Sequence, residues 1–222
     1  MSIIAAAFQP LAEKRILDVG CGAGALARSL SARGARTVGI DPSGEALEAA
    51  RQADSAGTFR QASAEAMPFD DHSFDGAVFL NLLHHVPKSA MLQALREAAR
   101  VVKSAARIVI VEPLAEGSFF SALRPVEDET YVRTAAQDVI DEALESGTLQ
   151  QLGRIDYLRR EHFTDLDQFL VHIVAVDSAR AAVVKERRPE VEAVFRSHAR
   201  VAEDGRMILE QPMRAHVLTA RN

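Results

Sequence analysis

Three glycines that follow an apolar, strand-like run are the first residues whose spacing indicates chemistry. In the stretch ILDVGCGAG, residues 16–24, Gly20, Gly22 and Gly24 alternate as soon as the run ends. Glycine adopts a positive φ readily and leaves space for a ligand against the main chain. A small molecule that lies across the carboxyl end of a β-strand needs both properties. The stretch therefore predicts a ligand site at the end of the first strand.

Two carboxylates flank this loop and indicate which ligand it holds. Residues 20–25 also fit a loose G-x-G-x-x-A pattern, and Asp41 follows about 20 residues later, where an acid accepts from the ribose hydroxyl of a dinucleotide. S-adenosylmethionine (SAM) carries the same ribose diol, but it has a sulfonium and an amino-acid group instead of a pyrophosphate. Asp18 stands two positions before the first glycine, where we expect it at the entrance of the site, and there it would repel a pyrophosphate and attract the ammonium of SAM. The electrostatics favour SAM.

Alternating strand and helix patterns around the loop predict an α/β fold. The strand-like runs between residues 15 and 112 are RILDVG, RTVGID, TFRQA, FDGAVFL and RIVIVE. Helical segments separate several of them, such as the amphipathic SAMLQALREAARVV at 89–102. Strands that alternate with helices form a doubly wound, mostly parallel sheet with helices on both faces.

The sequence pattern changes after Pro113, where helical patterns replace the alternation of strands and helices. Residues 126–147 and the segment after Thr164 have helical periodicity, and PMRAHVLTAR near the end is a predicted last strand. Because sheets of this class bind ligands at their carboxyl edge, we expect residues 114–205 to form a small helical cap over that edge. No linker suggests a second independent domain, so residues 1–222 are predicted to be a single domain.

The composition argues against several classes of function. The chain of 222 residues has a formal net charge of −5, which disfavours a nucleic-acid surface. Its single cysteine cannot form an intrachain disulfide, and no charged segment precedes the short apolar opening. No apolar run approaches the ~18 residues of a membrane span. We therefore expect a cytoplasmic protein without stable membrane insertion.

Four stretches in order resemble the successive motifs of the class I SAM-dependent methyltransferases. They are ILDVGCGAG, VGIDPS, ASAEAMPFDDHSFDGAVFLNLLHHVP and IVIVEP. The likeness is closest to the ubiquinone- and menaquinone-biosynthesis-type branch, known as type 11, and it covers residues 15–113. It implies a Rossmann-like fold, with SAM as the cofactor and S-adenosylhomocysteine as its product. The implied reaction is methyl transfer to a small, apolar or aromatic acceptor.

The resemblance places the cofactor against residues at the ends of the strands. Asp18 and the glycine loop would hold the methionine end of SAM, and Asp41 would accept from both ribose hydroxyls. The implied cofactor-binding set is Asp18, Gly20, Cys21 through its backbone, Gly22, Gly24, Asp41, Pro42 near the adenine, Ser63, Ala64 and Glu65 around the adenine, and Asn81, whose carbonyl would meet the SAM amine. Since Asp41 supports no core packing in this picture, its replacement is expected to cost affinity and little stability.

Two departures from the family pattern leave alternatives open. Ser63 stands where the family has an aspartate that accepts from the adenine amino group, and a neutral acceptor forms a bond about half as strong. KSAAR at 103–107 replaces the Pro-Gly-Gly turn before the fifth strand. A SAM-binding protein without turnover is therefore one alternative. A nicotinamide-dependent oxidoreductase, which Asp18 disfavours, is the other.

Catalysis needs no triad here, because the SAM sulfonium is already activated and transfer depends on positioning. A general base is required only where the acceptor must lose a proton, as a phenol does. His85 and Glu112 are the candidates for that role, and we expect His85 rather than His84 to face the pocket. Adjacent helical residues lie on different faces, so the histidine pair predicts no metal site.

Overall fold

The first half of the chain alternates strands and helices, as the sequence predicts. The structure is a computed structural model that describes residues 2–221, so the first and last residues of the predicted domain lie outside the described part. The strands of this half are β1 (Arg15–Val19), β2 (Arg36–Asp41), β3 (Thr58–Gln61), β4 (Phe74–Leu80) and β5 (Val102–Pro113). The helices are α1 (Ser2–Ala7), α2 (Ala25–Ser31), α3 (Gly44–Ala53) and α4 (Lys88–Val101), with a 3₁₀ turn at Leu83–His85.

The second half contains more strand than the sequence patterns predict. Its helices are α5 (Ser118–Leu123), α6 (Thr130–Glu145), α7 (Leu166–Val176) and α8 (Arg180–His198). Its strands are β6 (Leu149–Phe163), β7 (Arg200–Val201) and β8 (Met207–Ala220). Strand β6 was missed because its residues between the two ends are exposed or half-buried, so the sequence lacks the alternation of a half-buried strand.

The strands form one sheet in the order β3-β2-β1-β4-β5-β8-β6, with β7 paired to β8. Strands β1 to β5 pair in parallel, and the short β7 pairs with β8 in antiparallel fashion. This arrangement confirms the predicted doubly wound, mostly parallel sheet of the Rossmann-like kind. Helices connect the parallel strands because a parallel pair needs a crossover rather than a tight turn.

The KSAAR segment forms a bulge at the start of β5. Phe74 pairs with Val102, but the next paired residues are Gly76 and Arg107, so several residues of β5 loop out between them. Ala105 supplies the turn with a φ of 61°, a value that glycine adopts more readily. The register beyond the bulge is regular, so this departure from the family pattern leaves the carboxyl end of β5 in place.

The chain divides into two compact units. The first contains residues 1–112, 135–155 and 214–222, and the second contains residues 113–134 and 156–213. Most of α6 and the start of β6 fall in the first unit, and the cap predicted over residues 114–205 stays a prediction. That the second unit covers the ligand edge of the sheet stays a prediction.

Each unit has its own core. In the first, the central strands bury both faces, and Leu17, Ile40 and Phe79 are completely buried. In the second, phenylalanine rings pack edge to face, as at Phe163 and Phe169, whose ring centroids are 5.4 Å apart.

Candidate functional site

The carboxyl ends of the parallel strands meet at one edge of the sheet. Strand β1 lies between β2 and β4, so the strand order reverses at this point. Val19 pairs with Ile40 on one side and with Phe79 on the other, which aligns the ends of all three strands. Open α/β sheets bind ligands in the crevice at such a switch point. The candidate site is therefore built from the residues that follow β1, β2 and β4.

The glycine loop, residues 20–24, turns tightly from β1 into α2. Its glycines have φ values of 69°, 51° and 74°, a region that other residues enter only with strain. The amides of Gly20 and Cys21 donate to the carbonyl of Ile40 at 2.8 and 2.9 Å. The Gly24 amide donates to the Cys21 carbonyl at 2.8 Å, just before the helix begins. Backbone bonds alone therefore fix much of the turn.

The three glycines serve different purposes. A Cβ on Gly20 would lie 2.3 Å from the Leu82 side chain, and one on Gly24 would lie 2.9 Å from the Phe59 ring. A Cβ on Gly22 would meet nothing within 4 Å. Gly20 and Gly24 therefore permit close packing, whereas open space surrounds the Cα of Gly22.

Asp41 joins the glycine loop to the start of α3. Its Oδ2 accepts from the Gly22 amide at 2.9 Å, and its Oδ1 accepts from the Ser43 amide at 2.9 Å. Ser43 in turn caps α3 by accepting from the Ala46 amide at 3.2 Å. Each carboxylate oxygen has a second lone pair, so Asp41 keeps the capacity to accept from a ligand.

Asp18 is buried rather than open to the entrance of a pocket. Only 2% of its surface is exposed, and its Oδ2 accepts from the Ala27 amide in the first turn of α2 at 3.1 Å. Burial raises the pKa of its carboxyl to about 7, the Ala27 hydrogen bond opposes the rise, and the charge of Asp41 adds to it. Asp18 therefore has two roles, as a support for α2 and as a carboxylate whose charge a nearby cation would stabilise.

Cys21 fills space between the loop and β2. Burial, with the charges of Asp18 and Asp41, raises the pKa of its thiol to about 12. A Cβ on Gly39 would lie 2.7 Å from its Sγ, which shows how closely the thiol packs against β2. A thiol with this pKa is not a nucleophile at neutral pH, and the close contact with β2 shows that its side chain fills space.

Asn81 follows β4 in an unusual conformation. Its φ is 53°, in the left-handed region, while its amide donates to the carbonyl of Val111 at 2.8 Å. Its side-chain Oδ1 is buried and has no hydrogen-bond partner. A buried acceptor without a donor is costly and is a common mark of a functional position.

Glu112 holds the segment that comes after Asn81. It is fully buried, and its Oε1 accepts from the amides of Leu82 and Leu83 at 3.0 and 2.8 Å. Its Oε2 contacts Nδ1 of His84, which is also buried. Glu112 was a candidate general base, but both of its oxygens already bind protein groups. These contacts show that Glu112 positions the 3₁₀ turn, and a role in proton transfer stays a prediction.

His85 is the exposed member of the histidine pair. Its ring centroid lies 4.1 Å from that of the buried His84, so the turn held by Glu112 also presents His85. The sequence expectation that His85 rather than His84 is open to a pocket agrees with this difference in exposure. A role for His85 in catalysis stays a prediction.

The predicted adenine-side residues lie in the turns after β2 and β3. Pro42 is exposed, and its carbonyl accepts from the Gln61 side-chain amide at 2.8 Å. Ser63 and Glu65 are half-buried, and Ala64 is buried. These residues follow strands that end at the same edge as β1, which is consistent with the implied adenine site.

Sequence reasoning missed some residues that shape this site. Leu82 and Phe59 pack against the glycine loop, and His84 completes the contacts of Glu112. Apolar residues beside a loop carry no pattern that marks them, because any core position looks the same. The adjacent histidines in NLLHHVP were the one usable signal, since a histidine buried next to a strand end needs a partner.

Neither a metal cluster nor a membrane-spanning helix is found in the described part of the chain. Among residues 2–221, no group of three or more His, Cys, Asp or Glu could hold a metal ion. Within the same range, no helix is long and apolar enough to cross a membrane.

The comparison with protein families finds a likeness over the first half of the chain. Residues 17–110 match the family model described as a methyltransferase domain. The match covers less than half of the chain, agrees with the four motifs and implies S-adenosylmethionine as the cofactor.

Individual relatives support the same assignment over part of the chain. An uncharacterized methyltransferase, YcgJ of Bacillus subtilis (strain 168), is 34% identical over 135 residues, which are 56% of this chain and 53% of that protein. A ubiquinone biosynthesis O-methyltransferase of Alkalilimnicola ehrlichii is 39% identical over 101 residues, or 43% of this chain and 40% of that protein. The chain thus spans about half the length, or less, of these curated relatives.

A solved structure extends the likeness in fold to the whole chain. The crystal structure of YcgJ from Bacillus subtilis covers 100% of this chain and 98% of its own, with a TM-score of 0.64 and 22% identity. At this level of identity the likeness shows the fold alone.

Proposed function

We propose that this protein transfers a methyl group from SAM to a small-molecule acceptor. The observation that carries the proposal is the 2.9 Å bond between the Gly22 amide and Asp41 Oδ2. It brings the open part of the glycine loop against an acidic strand end at the switch point of the sheet. A nucleoside that carries a positive charge suits that combination, because its ribose can donate to the carboxylate and its charge is attracted to it.

The residues present fit SAM on two further grounds. The buried Oδ1 of Asn81 has no donor in the protein, and the SAM ammonium is a donor of the required kind. The carboxylates of Asp18 and Asp41 raise the negative potential of the site, as the effect of Asp41 on the pKa of Asp18 shows. In the proposed complex, Asp41 accepts from the ribose hydroxyls, Asn81 and Asp18 favour the ammonium, and residues 63–65 border the adenine.

The same geometry disfavours a nicotinamide dinucleotide. Dinucleotide-binding folds place the pyrophosphate at the N-terminus of the helix after the glycine loop. Here the carboxyl of Asp18 already accepts from Ala27 in that turn at 3.1 Å. A second anion at this end of α2 would meet the charge of Asp18 and displace its hydrogen bond.

The chemistry of transfer divides between the cofactor and the chain. When SAM is bound, its sulfonium supplies an activated methyl group that a nucleophile can displace. The chain orients the cofactor and the acceptor, which is worth up to about 7–11 kcal/mol of a barrier when the reacting atoms are aligned. Glu112 keeps the 82–84 segment in place through two backbone amides and His84. We propose that the exposed His85 removes a proton from acceptors that have one to lose.

Phenolic and quinol acceptors are the first class to test. The Alkalilimnicola relative is named for ubiquinone biosynthesis and for O-methylation, and it is similar to this chain over 101 residues. A phenol also requires the base that His85 would supply.

Binding and turnover test the proposal separately. Calorimetry with SAM, S-adenosylhomocysteine and NAD should show binding of the first two only. Methyl-labelled SAM should then label small phenols or quinols in a metabolite extract, and His85→Ala should reduce that labelling without weakening SAM binding. Tight NAD binding with no response to SAM would refute the proposal. SAM binding without transfer to any acceptor would favour a non-catalytic SAM-binding protein.

A further inference from the structure

Strand β6 is the last strand at one end of the sheet and is the longest in the chain. It runs from Leu149 to Phe163, a span of 15 residues, and β8 is its neighbour in the strand order. Its two ends are anchored in apolar cores, since Leu149 is 1% and Phe163 is 3% exposed. The residues between them are exposed or half-buried. A long edge strand presents a row of backbone donors and acceptors that can pair with another strand.

The strand lacks two of the residues that commonly block an edge. Its sequence, LQQLGRIDYLRREHF, contains neither proline nor lysine, and its charged residues are of both signs. Instead it exposes large apolar side chains, with Leu152 at 53%, Ile155 at 44% and Leu158 at 52%. Exposed apolar residues on an open edge indicate an interaction surface rather than a solvent-facing strand.

We propose that β6 pairs antiparallel with β6 of a second copy of this chain, about a two-fold axis at Ile155. In that register Ile155 faces its own copy, Leu152 faces Leu158, and Arg154 faces Asp156. Both copies of each pair are formed, because a two-fold interface uses the same residues twice. The sequence of β6 therefore complements itself about its centre in both apolar surface and charge.

The half-buried positions of β6 agree with the same register. Gly153 falls opposite Tyr157, and an aromatic side chain that covers a cross-strand glycine is a known stabilising pair. Arg154 and Asp156 also interact within their own chain, so the second copy adds an opposite charge to each rather than supplying a missing one. Cross-strand apolar and opposite-charge pairs are the units that stabilise a sheet.

Neighbouring registers lose this complementarity. A two-fold axis perpendicular to the sheet keeps each side chain on its own face, so an allowed axis passes through a residue facing its own copy. An axis at Arg154 would place two arginines opposite each other, and an axis at Asp156 would place two aspartates opposite each other. Like charges directly opposite destabilise a strand pair. The register at Ile155 avoids both.

Cysteine crosslinking tests the register directly. Ile155→Cys should form a disulfide-linked dimer under mild oxidation, because facing residues of an antiparallel pair come close enough for a disulfide. Gln151→Cys is the matched control: position 151 would lie about 26 Å from its own copy along the strand, and it should not crosslink. The native Cys21 is buried and should form no crosslink in either variant.

Charge reversal in the unmodified strand tests the same register without a disulfide. Sedimentation over a wide concentration range should show a monomer–dimer equilibrium for the native protein. Asp156→Arg and Arg154→Asp should each weaken the dimer by about tenfold, and the double variant should recover most of the loss. Val171→Lys, a change at an exposed position on α7, should leave the equilibrium unchanged. A native protein that stays monomeric, or equal crosslinking at positions 151 and 155, would overturn the proposal.

Discussion

Replacing Asp41 by alanine should lower both the stability of the free protein and its affinity for SAM. The carboxylate accepts from the amides of Gly22 and Ser43, each at 2.9 Å, so it ties the glycine loop to the start of α3 before any ligand binds. The sequence alone suggested that this change would leave stability almost intact. The structure corrects that expectation, because the side chain bridges two segments of the protein.

The two bonds set the size of the stability effect. A hydrogen bond to a charged acceptor contributes about 1.5–3 kcal/mol. The Gly22 bond is partly buried and should contribute in that range, whereas the Ser43 bond is exposed and should contribute less. The free energy of unfolding should therefore fall by about 2–4 kcal/mol. For a chain of this size, the midpoint of thermal unfolding should fall by roughly 5–15 °C.

The effect on binding is larger and can be measured separately. Loss of two charged acceptors for the ribose diol should weaken SAM binding by about two to four decades at a temperature where the variant stays folded. Asp41→Asn keeps one acceptor oxygen and should lose less of both quantities.

Asp54→Ala provides a matched control outside the site. Asp54 accepts from the Ala56 amide in an exposed turn, so its loss should change SAM binding very little. Unfolding in urea and calorimetry with SAM give the two readings for each variant. If Asp41→Ala unfolds at the same denaturant concentration as the native protein, the bridging role is wrong. If it binds SAM with native affinity, the placement of the ribose is wrong.

Three further changes probe the rest of the site. Glu112→Ala should cost about 3–5 kcal/mol in urea unfolding because it leaves buried partners unpaired, and Glu112→Gln should cost less because it keeps an acceptor oxygen; equal losses would show that the charge, which both variants lack, accounts for the effect. Asn81→Gly should relieve the strain of the left-handed backbone at this position, so the free energy of unfolding should not fall. The same change should weaken SAM binding about tenfold. Unchanged SAM binding would show that the Asn81 Oδ1 does not contact the cofactor. The pKa of Asp18 is about 7 in the folded state, against an ordinary value of 3.8. Between these pH values the folded state binds more protons than the unfolded state. The free energy of unfolding of the ligand-free protein should therefore fall as the pH rises from about 4 to about 7. Asp18→Asn should remove this slope, and a slope that persists in urea unfolding would assign it to another group.

The ligand edge of the sheet was predictable because its signals are local. The conformation of the loop requires glycines, because positive φ is found at all three of Gly20, Gly22 and Gly24, as their alternation predicts. The strands on either side are apolar because both of their faces are buried, so their runs are easy to find in the sequence. Asp18 and Asp41 could be placed near the loop because parallel strands end at a common edge.

The roles of the acidic residues were less predictable, because they depend on contacts across the fold. Glu112 binds amides about 30 positions earlier in the chain, and nothing near it in sequence shows that its oxygens are occupied. Asp18 was expected at the entrance of the site, but it lies buried against the first turn of α2. Its pairing with Ala27 depends on how the helix returns to the strand, which the spacing of residues does not fix.

The second half of the chain was harder to predict, for a different physical reason. Strand β6 exposes most of its residues, so burial imposes no period on its sequence. The predicted helical cap rested on helical periodicity and on where such sheets bind ligands, and neither indicated that the inner face of α6 packs with the core of the first unit. Periodicity shows that a helix has a buried face, but it does not show which core that face packs against.

The electrostatics of the site link its stability to its proposed function. Asp18 and Asp41 repel each other, and burial makes the charged form of Asp18 costly in the free protein. A cation bound beside them would favour the charged form, so SAM should bind more tightly as pH rises through about 7. S-adenosylhomocysteine keeps the ammonium that Asp18 is proposed to favour, so its affinity should rise over the same pH range. Affinities for the two compounds measured across that range, in native protein and in Asp18→Asn, would show whether the pH dependence resides in this carboxyl. A pH dependence that persists in Asp18→Asn would assign it to another group.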